Sequence, residues 1–369
     1  MLLLIVDDWG LDASELYNTH PAAVLANMPN LRGLFFSDPN ASPTSTPDQG
    51  LLFSRGYAQP ICSPTRATML TGRLPSQHGV LNPTSNNTLP DSELTFPEIL
   101  STEAPEYGLA SYGKWHLGSG DESPLTHGGW PNFTGGITGG VDSYSSWDRT
   151  RIVNGGASTS INNFTTYATT DQVDEAAAFI NAQNGNPWVV WMGFNAPHAP
   201  FEDPAPFVTP TDGYSVNSTN DFTNYVRLLE ALGHEIGRLL ESVDQAHTHI
   251  IVVGDNGTPS QTVQAPAGSN LTGRKGDLVE GGIHVPFFAC GPDVLQTGID
   301  DTLVHVVDIF STVLEVAGVD VASHTTGIEL ASNSLLPVFQ GNDTSERSIV
   351  SERFDNNANR DGRAIILDE

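Results

Sequence analysis

Two acidic stretches in this chain directly follow apolar runs. Leu2–Val6 leads into Asp7-Asp8, and the run ending at Gly254 leads into Asp255-Asn256-Gly257. Carboxylates and an amide oxygen are hard ligands, suited to Ca²⁺ or Mg²⁺ and not to zinc, which prefers nitrogen and sulfur. Adjacent carboxylates at one strand end repel each other, and a bound cation would relieve that repulsion. Either acidic end alone could instead cap a following helix. Two such ends in one sheet favour a metal.

A nucleophile and a set of cations accompany the acids. Cys62 opens Cys62-Ser63-Pro64-Thr65-Arg66. Pro64 suits a first helical position and Ser63 an N-cap, so the spacing predicts Cys62 at a helix N-terminus, where the dipole favours negative charge. Arg66, one turn along, can reach back to the same point, and a thiolate would fit there. Lys114 and Lys275 are the only lysines, and each lies in a glycine-flanked stretch, Gly113-Lys114-Trp115-His116-Leu117-Gly118 and Gly273-Arg274-Lys275-Gly276. Retaining just these two suggests that both are needed. His198 sits between Pro197 and Pro200, which hold it stiffly, although a turn histidine is more often a plain surface residue. Arg66, Lys114 and Lys275, with His116 and His198, would bind a tetrahedral oxyanion beside the metal and stabilise charge on a transferred group.

These residues need a scaffold that converges strand ends. Strand-like runs lie at residues 1–6, 108–113, 187–194, 248–253 and 284–289, with helical patterns at 171–183, 221–244 and 303–317 between and after them. In the first helix Val173, Ala177 and Ile180 share a face, and the last stops at Gly318. Apolar strands alternating with helices predict an α/β fold: a large, mostly parallel sheet covered on both faces. Such sheets bind ligands at the carboxyl ends of their strands. Residues 37–50 and 119–165, rich in Gly, Ser, Thr, Asn and Pro, read as long surface loops.

Six ordered motifs resemble the formylglycine-dependent sulfatases of the alkaline phosphatase superfamily. They are Asp7-Asp8, Cys62-Ser63-Pro64-Thr65-Arg66 continued by Met69-Leu70-Thr71-Gly72, Gly113 to Gly118, Pro197-His198-Ala199-Pro200, Gly254-Asp255-Asn256-Gly257, and Arg274-Lys275 with Glu280-Gly281-Gly282 downstream. The resemblance implies an alkaline phosphatase-like fold and sulfate monoester hydrolysis. It implies that a separate maturation enzyme oxidises Cys62 to formylglycine, whose hydrate is a geminal diol. Asp7, Asp8, Asp255 and Asn256 would bind one Ca²⁺, with Mg²⁺ as an alternative, and residue 62 would complete the shell. Arg66 would hold the diol oxygens, Lys114 and Lys275 would grip the sulfate, and His198 with Lys275 would assist the leaving alkoxide. His116 would be the base on the second hydroxyl. One hydroxyl attacks sulfur, and the other, once deprotonated, expels sulfate by C–O cleavage, a release step that a serine ester lacks.

The chain departs from the family at His284, where the family often has Arg, at an inserted stretch after Pro29-Asn30-Leu31 ending near Gly50, and at its C-terminal end. Residues 1–345 read as the catalytic domain and 346–369 as the start of a C-terminal antiparallel subdomain that is largely missing. A phosphonate monoester or phosphodiester hydrolase using the same nucleophile is the alternative activity. A non-catalytic homologue holding sulfated glycan is a further reading.

Composition limits the partners. A formal net charge of −28 argues against nucleic acid or an anionic membrane and suits a saline or calcium-rich milieu. No apolar run is long enough to span a bilayer. The chain opens directly on a core strand without a basic leader or cleavage site. That start is read as a trimmed form of a secreted or periplasmic protein, with a cytoplasmic one as the alternative. Sulfated small molecules or saccharides and the maturation enzyme are the expected partners. Cys62 and Cys290 could form a disulfide, but Cys290, in an apolar strand, reads as a buried small hydrophobe. Asn-x-Ser/Thr triplets at Asn132, Asn163, Asn217, Asn270 and Asn342 are expected by chance in so Asn- and Thr-rich a chain.

Overall fold

The computed structural model describes residues 1–17, 25–38, 40, 45–204, 220–263, 271–342, 346–354 and 361–368. Parts of the 37–50 stretch, and Asn217 and Asn270, lie outside them. Twelve strands are present among these residues: β1 (Leu2–Val6), β2 (Leu51–Tyr57), β3 (Gly108–Lys114), β4 (Phe133–Gly136), β5 (Trp147–Ile152), β6 (Thr159–Phe164), β7 (Trp188–Gly193), β8 (Ile250–Gly254), β9 (Phe287–Cys290), β10 (Gly298–His305), β11 (Ser348–Arg353) and β12 (Gly362–Leu367). Ten form one sheet in the order β10-β2-β9-β8-β1-β7-β3-β4-β5-β6, while β11 and β12 form a separate antiparallel pair.

β8, β1, β7, β3 and β4 run parallel as consecutive neighbours. Each of β8, β1 and β7 is almost wholly buried because both faces of the sheet are covered. Alternation along β1 divides its side chains. Leu2, Leu4 and Val6 join a core that includes residues of the helices Ala168–Ala182 and Asp221–Leu240. Leu3 and Ile5 join a second core with the helices Cys62–Thr71, Phe96–Glu103 and Ile309–Val316. Period-two alternation therefore binds one strand to two helical layers.

Several expected boundaries differ. The 119–165 stretch is not a long loop: it carries the helix Ser123–Thr126 and the strands β4, β5 and β6. These strands lie at the edge of the sheet, and β6 is exposed along nearly its whole length, so polar residues suffice and no apolar signal appears. In the expected helix 303–317, residues 303–305 instead end β10, paired in parallel with β2, and the α-helix begins only at Ile309. Short apolar runs fit either period, and here pairing with β2 decides. The helix expected over 221–244 ends at Leu240. β9 is antiparallel to both β2 and β8. Cys62 and Cys290 are both free and buried.

Candidate active site

Because β8, β1, β7 and β3 are parallel neighbours, their carboxyl ends open on one side. β1 delivers Asp7 and Asp8, β8 delivers Asp255 and Asn256, β3 ends at Lys114 and continues to His116, and the segment after β7 carries His198. Val6 is in register with Gly254, and the Asp255 amide donates to the Val6 carbonyl at 3.1 Å, so the two acidic ends lie side by side. One oxygen from each of Asp7, Asp8 and Asp255 lies within 4.8 Å of the others, and all three residues are buried.

Each carboxylate meets a basic side chain. Lys114 Nζ donates to Asp7 Oδ2 at 2.6 Å, Lys275 Nζ lies 2.5 Å from Asp8 Oδ1, and Arg66 Nη2 donates to Asp255 Oδ2 at 3.0 Å. Burial of these acids would cost several kcal/mol per ion without such partners. Burial still pushes Asp7 up despite Lys114, and burial with the neighbouring Asp7 pushes Asp255 up to about 6. Burial opposes the charge on Asp8 too, but Lys275, His198 and Lys114 override it and hold Asp8 well below the usual carboxylate range. Partial desolvation opposes the charge on Lys275, yet Asp8, Cys62 and Asp7 keep its ammonium more strongly protonated than a free lysine.

The residues fit a hard cation. Asp7 Oδ1 and Asn256 Oδ1 are buried acceptors without a hydrogen-bond partner, beside two further carboxylates. Asn256 is held by its other end, since Nδ2 donates to Asp8 Oδ1 at 2.8 Å. A buried acceptor left unpaired costs about 1–3 kcal/mol, and an oxygen-seeking cation would satisfy both. Asp8 has a left-handed backbone, φ 59°, fixed from two sides. Its amide donates to Asp255 Oδ1 at 3.0 Å, and Tyr225 Oη donates to its carbonyl at 2.8 Å. Sequence reasoning missed Tyr225, whose signal is only that of an apolar position on the amphipathic helix Asp221–Leu240.

The nucleophile side is built from the helix Cys62–Thr71. The expected N-cap is corrected here: Ile61, extended at φ −145° and ψ 145°, takes that position, and Cys62 is the first helical residue. Pro64 is tolerated in the first turn, where amides lack intrahelical acceptors. Ser63 donates instead to the His116 carbonyl at 2.9 Å, pinning β3's continuation against the helix. Cys62 Sγ lies 3.3 Å from His116 Nδ1. His116 Nε2 lies 3.2 Å from the Pro83 carbonyl, which can only accept, so Nε2 carries the proton and Nδ1 presents its lone pair to residue 62. Burial, with Lys114 and Arg66 nearby, lowers the His116 pKa to about 3 and keeps the ring neutral.

Arg66 makes its hydrogen bonds to two strand ends. Nη1 donates to the Lys114 carbonyl at 2.8 Å and Nη2 to Asp255, so the guanidinium ties the helix to two strand ends. Gly193 makes room for it: a Cβ there would lie 2.7 Å from Arg66 Nη1. His198 Nδ1 donates to the Ala199 carbonyl at 2.7 Å, which leaves Nε2 facing Asp8 Oδ2 at 3.8 Å. Burial and Lys114 lower the His198 pKa to about 4. Lys275 and His198 are partly exposed, at 21% and 24%, whereas Arg66 and Lys114 are fully enclosed, so the cluster opens to solvent on the Lys275–His198 side. The candidate catalytic and metal-binding residues Asp7, Asp8, Cys62, Arg66, Lys114, His116, His198, Asp255, Asn256 and Lys275 thus meet in one cluster. His284, where the family often has Arg, lies apart from it, bonded to Glu280 at 2.7 Å and stacked on Tyr57.

Comparison with known proteins bears on the family and the fold. A family model described as Sulfatase matches residues 1–319. The N-acetylgalactosamine-6-sulfatase of Homo sapiens is 27% identical over 350 residues, covering 86% of this chain and 62% of that protein. Arylsulfatase J of Mus musculus is 26% identical over 290 residues, covering 73% of this chain and 47% of its own length. The chain therefore spans less than two thirds of the length of these relatives. Among solved structures, the PsFucS1 sulfatase from Pseudoalteromonas sp. superposes with a TM-score of 0.75 at 22% identity, over 99% of this chain and 76% of that one. BT4656, solved in complex with its substrate D-glucosamine-2-N,6-O-disulfate, gives a TM-score of 0.69 at 17% identity, over 99% and 86% of the two chains. At these identities the structural likeness concerns the fold.

Proposed function

Since the chain belongs to the sulfatase family, we propose that it hydrolyses sulfate monoesters at residue 62. The observation that carries this reading is the junction of two half-sites. Cys62 Sγ lies 3.3 Å from His116 Nδ1, and Lys114, two residues before that histidine, donates to Asp7 of the acidic cluster at 2.6 Å. Cys62 oxidised to formylglycine would supply a geminal-diol nucleophile, and a Ca²⁺ held by Asp7, Asp8, Asp255 and Asn256 would polarise it.

The chain's own residues perform the remaining tasks. Lys275, charged and at the open side, meets the sulfate first and donates a proton or hydrogen bond to the leaving oxygen. His198, neutral and beside it, positions the alcohol oxygen. Lys114, fully enclosed, neutralises the inner face of the anion, and Arg66 holds Asp255 and the Lys114 turn in register. His116 Nδ1 accepts the proton of the second hydroxyl on residue 62. The fixed positive groups oppose the field of a chain of net charge −28, which would otherwise repel an anionic substrate.

A sulfated saccharide is the substrate class we favour. The human relative is named for an N-acetylgalactosamine 6-sulfate, and BT4656 was solved with a glucosamine disulfate. The test has two parts. After co-expression with a maturation enzyme, tryptic peptide Gly56–Arg66 should carry an aldehyde at residue 62; an unmodified cysteine would favour a binding-only role. Turnover of an aryl sulfate should exceed that of a phosphate diester and a phosphonate ester, and the reverse order would overturn the reading.

A further inference from the structure

The loop 81–88 belongs to none of the six motifs, yet it touches the site at one decisive atom. Asn82 is buried, and its Oδ1 gathers an unusual number of donors. Thr84 N lies at 3.1 Å, Thr84 Oγ1 at 3.2 Å, Ser85 N at 2.8 Å, Ser85 Oγ at 3.1 Å and Asn86 N at 3.4 Å. The backbone closes the same turn, with the Leu81 and Asn82 amides both donating to the Asn86 carbonyl at 2.9 and 3.4 Å. A short polar side chain that satisfies its own loop in this way is an efficient organiser of a tight turn.

The turn has one consequence for chemistry. It aims the Pro83 carbonyl into the site, where it receives His116 Nε2 at 3.2 Å and Asn87 Nδ2 at 3.3 Å. The ring of His116 is closed off on another side by Gly139, where a Cβ would lie 2.3–2.9 Å from three ring atoms. Its backbone is fixed as well, at φ 62°, by the Ile137 carbonyl and by Ser63. With the ring immobile, the identity of the atom opposite Nε2 decides the tautomer. A carbonyl oxygen there requires the proton on Nε2 and leaves Nδ1 as the acceptor facing residue 62.

We propose that Asn82 is a positioning residue: by tying the turn 82–86 it holds the Pro83 carbonyl on His116 Nε2 and so fixes the tautomer in which Nδ1 can accept the proton of residue 62. Asn82 touches no reacting atom and acts only through Pro83 and His116. The consequence for turnover rests on the sulfatase reading, but the tautomer does not.

Two measurements on the full chain separate these. The first is long-range ¹H–¹⁵N correlation of histidine-labelled protein, with His116 assigned by its loss in His116→Gln. Wild type should show protonated Nε2 and bare Nδ1; a protonated Nδ1 in wild type overturns the proposal whatever the variants do. Asn82→Ala should give mixed or reversed tautomers, and Asn82→Asp, which keeps the acceptor oxygen, should restore the wild-type pattern. The second is kinetics on an aryl sulfate. Asn82→Ala should lower kcat at least about tenfold with KM little changed, the scale expected when an orienting partner of a site residue is lost, and Asn82→Asp should recover most of it. Wild-type tautomer and kcat in Asn82→Ala would also overturn the proposal. If wild type turns over no sulfate ester, the functional reading fails while the spectroscopic arm still decides the role of Asn82.

Discussion

Acidification should weaken the calcium binding proposed for the acidic cluster, because its buried carboxylates hold protons more tightly than free ones. Metal coordination needs Asp255 as a carboxylate, but burial beside Asp7 raises its pKa to about 6 in the metal-free chain. Above that value the carboxylate is ready to bind; below it, a proton must leave first. At about pH 5 only about one Asp255 in ten is ionised, so affinity should fall about tenfold relative to about pH 7.5, or about 1.4 kcal/mol. Asp7 is shifted in the same direction by burial, which makes the fall steeper than a single proton would. Asp8, held low chiefly by Lys275 against its burial, stays ionised and adds nothing. Isothermal titration of Ca²⁺ in two buffers of different ionisation enthalpy measures affinity and proton release together. Release should be near zero at neutral pH and rise toward one proton or more as the pH drops through about 6. An affinity that is flat between about pH 5 and 7.5, or proton release that shrinks on acidification, would refute the coupling of these buried acids to the metal.

Other outcomes are as specific. Tyr225→Phe deletes the hydroxyl that holds the Asp8 carbonyl and should weaken calcium binding by about 10–100-fold in a titration, as loss of an outer-shell partner typically does. Cys62→Ala and Lys275→Ala should each abolish sulfate-ester turnover, with full activity in either breaking the mechanism. Asp308→Ala removes a fully buried carboxylate that pairs with both Nη atoms of Arg347 at 3.1 and 2.8 Å and accepts the His305 and Asn333 amides. Breaking such a pair costs about 3–5 kcal/mol, so calorimetry should show a Tm several degrees lower.

The terminal hairpin shows why that clamp matters. β11 meets the segment just before Cys62, where the Glu352 amide donates to Gln59 Oε1 at 2.6 Å and Ser351 Oγ donates to the Ala58 carbonyl at 2.8 Å. The Gly276 amide, next to Lys275, donates to the Pro60 carbonyl at 2.8 Å. Arg347 and Asp308 thus help to anchor a strand pair that braces the segment leading into Cys62. Nothing near Ala58 or Gln59 in the sequence announces this, because partners almost three hundred positions away have no local signature.

The sequence by itself determined the central strands, the long helices and the identity of the clustered residues. Apolar runs mark fully buried strands, 3.6-residue periodicity marks the helices, and hard oxygen ligands and reserved lysines carry their chemistry in their residue types. It misjudged the edge strands in 119–165 and the start of the helix at Ile309, because an exposed strand needs no apolar pattern and a short apolar run fits either period. The tertiary structure alone decided directions. It turned Arg66 onto Asp255 and the Lys114 carbonyl, sent the Ser63 hydroxyl across to His116, and set Pro83 against Nε2 and Tyr225 against Asp8. Hydrogen bonds depend on where atoms lie within a few tenths of an ångström, and that placement comes from the packing of strands and helices distant in the chain.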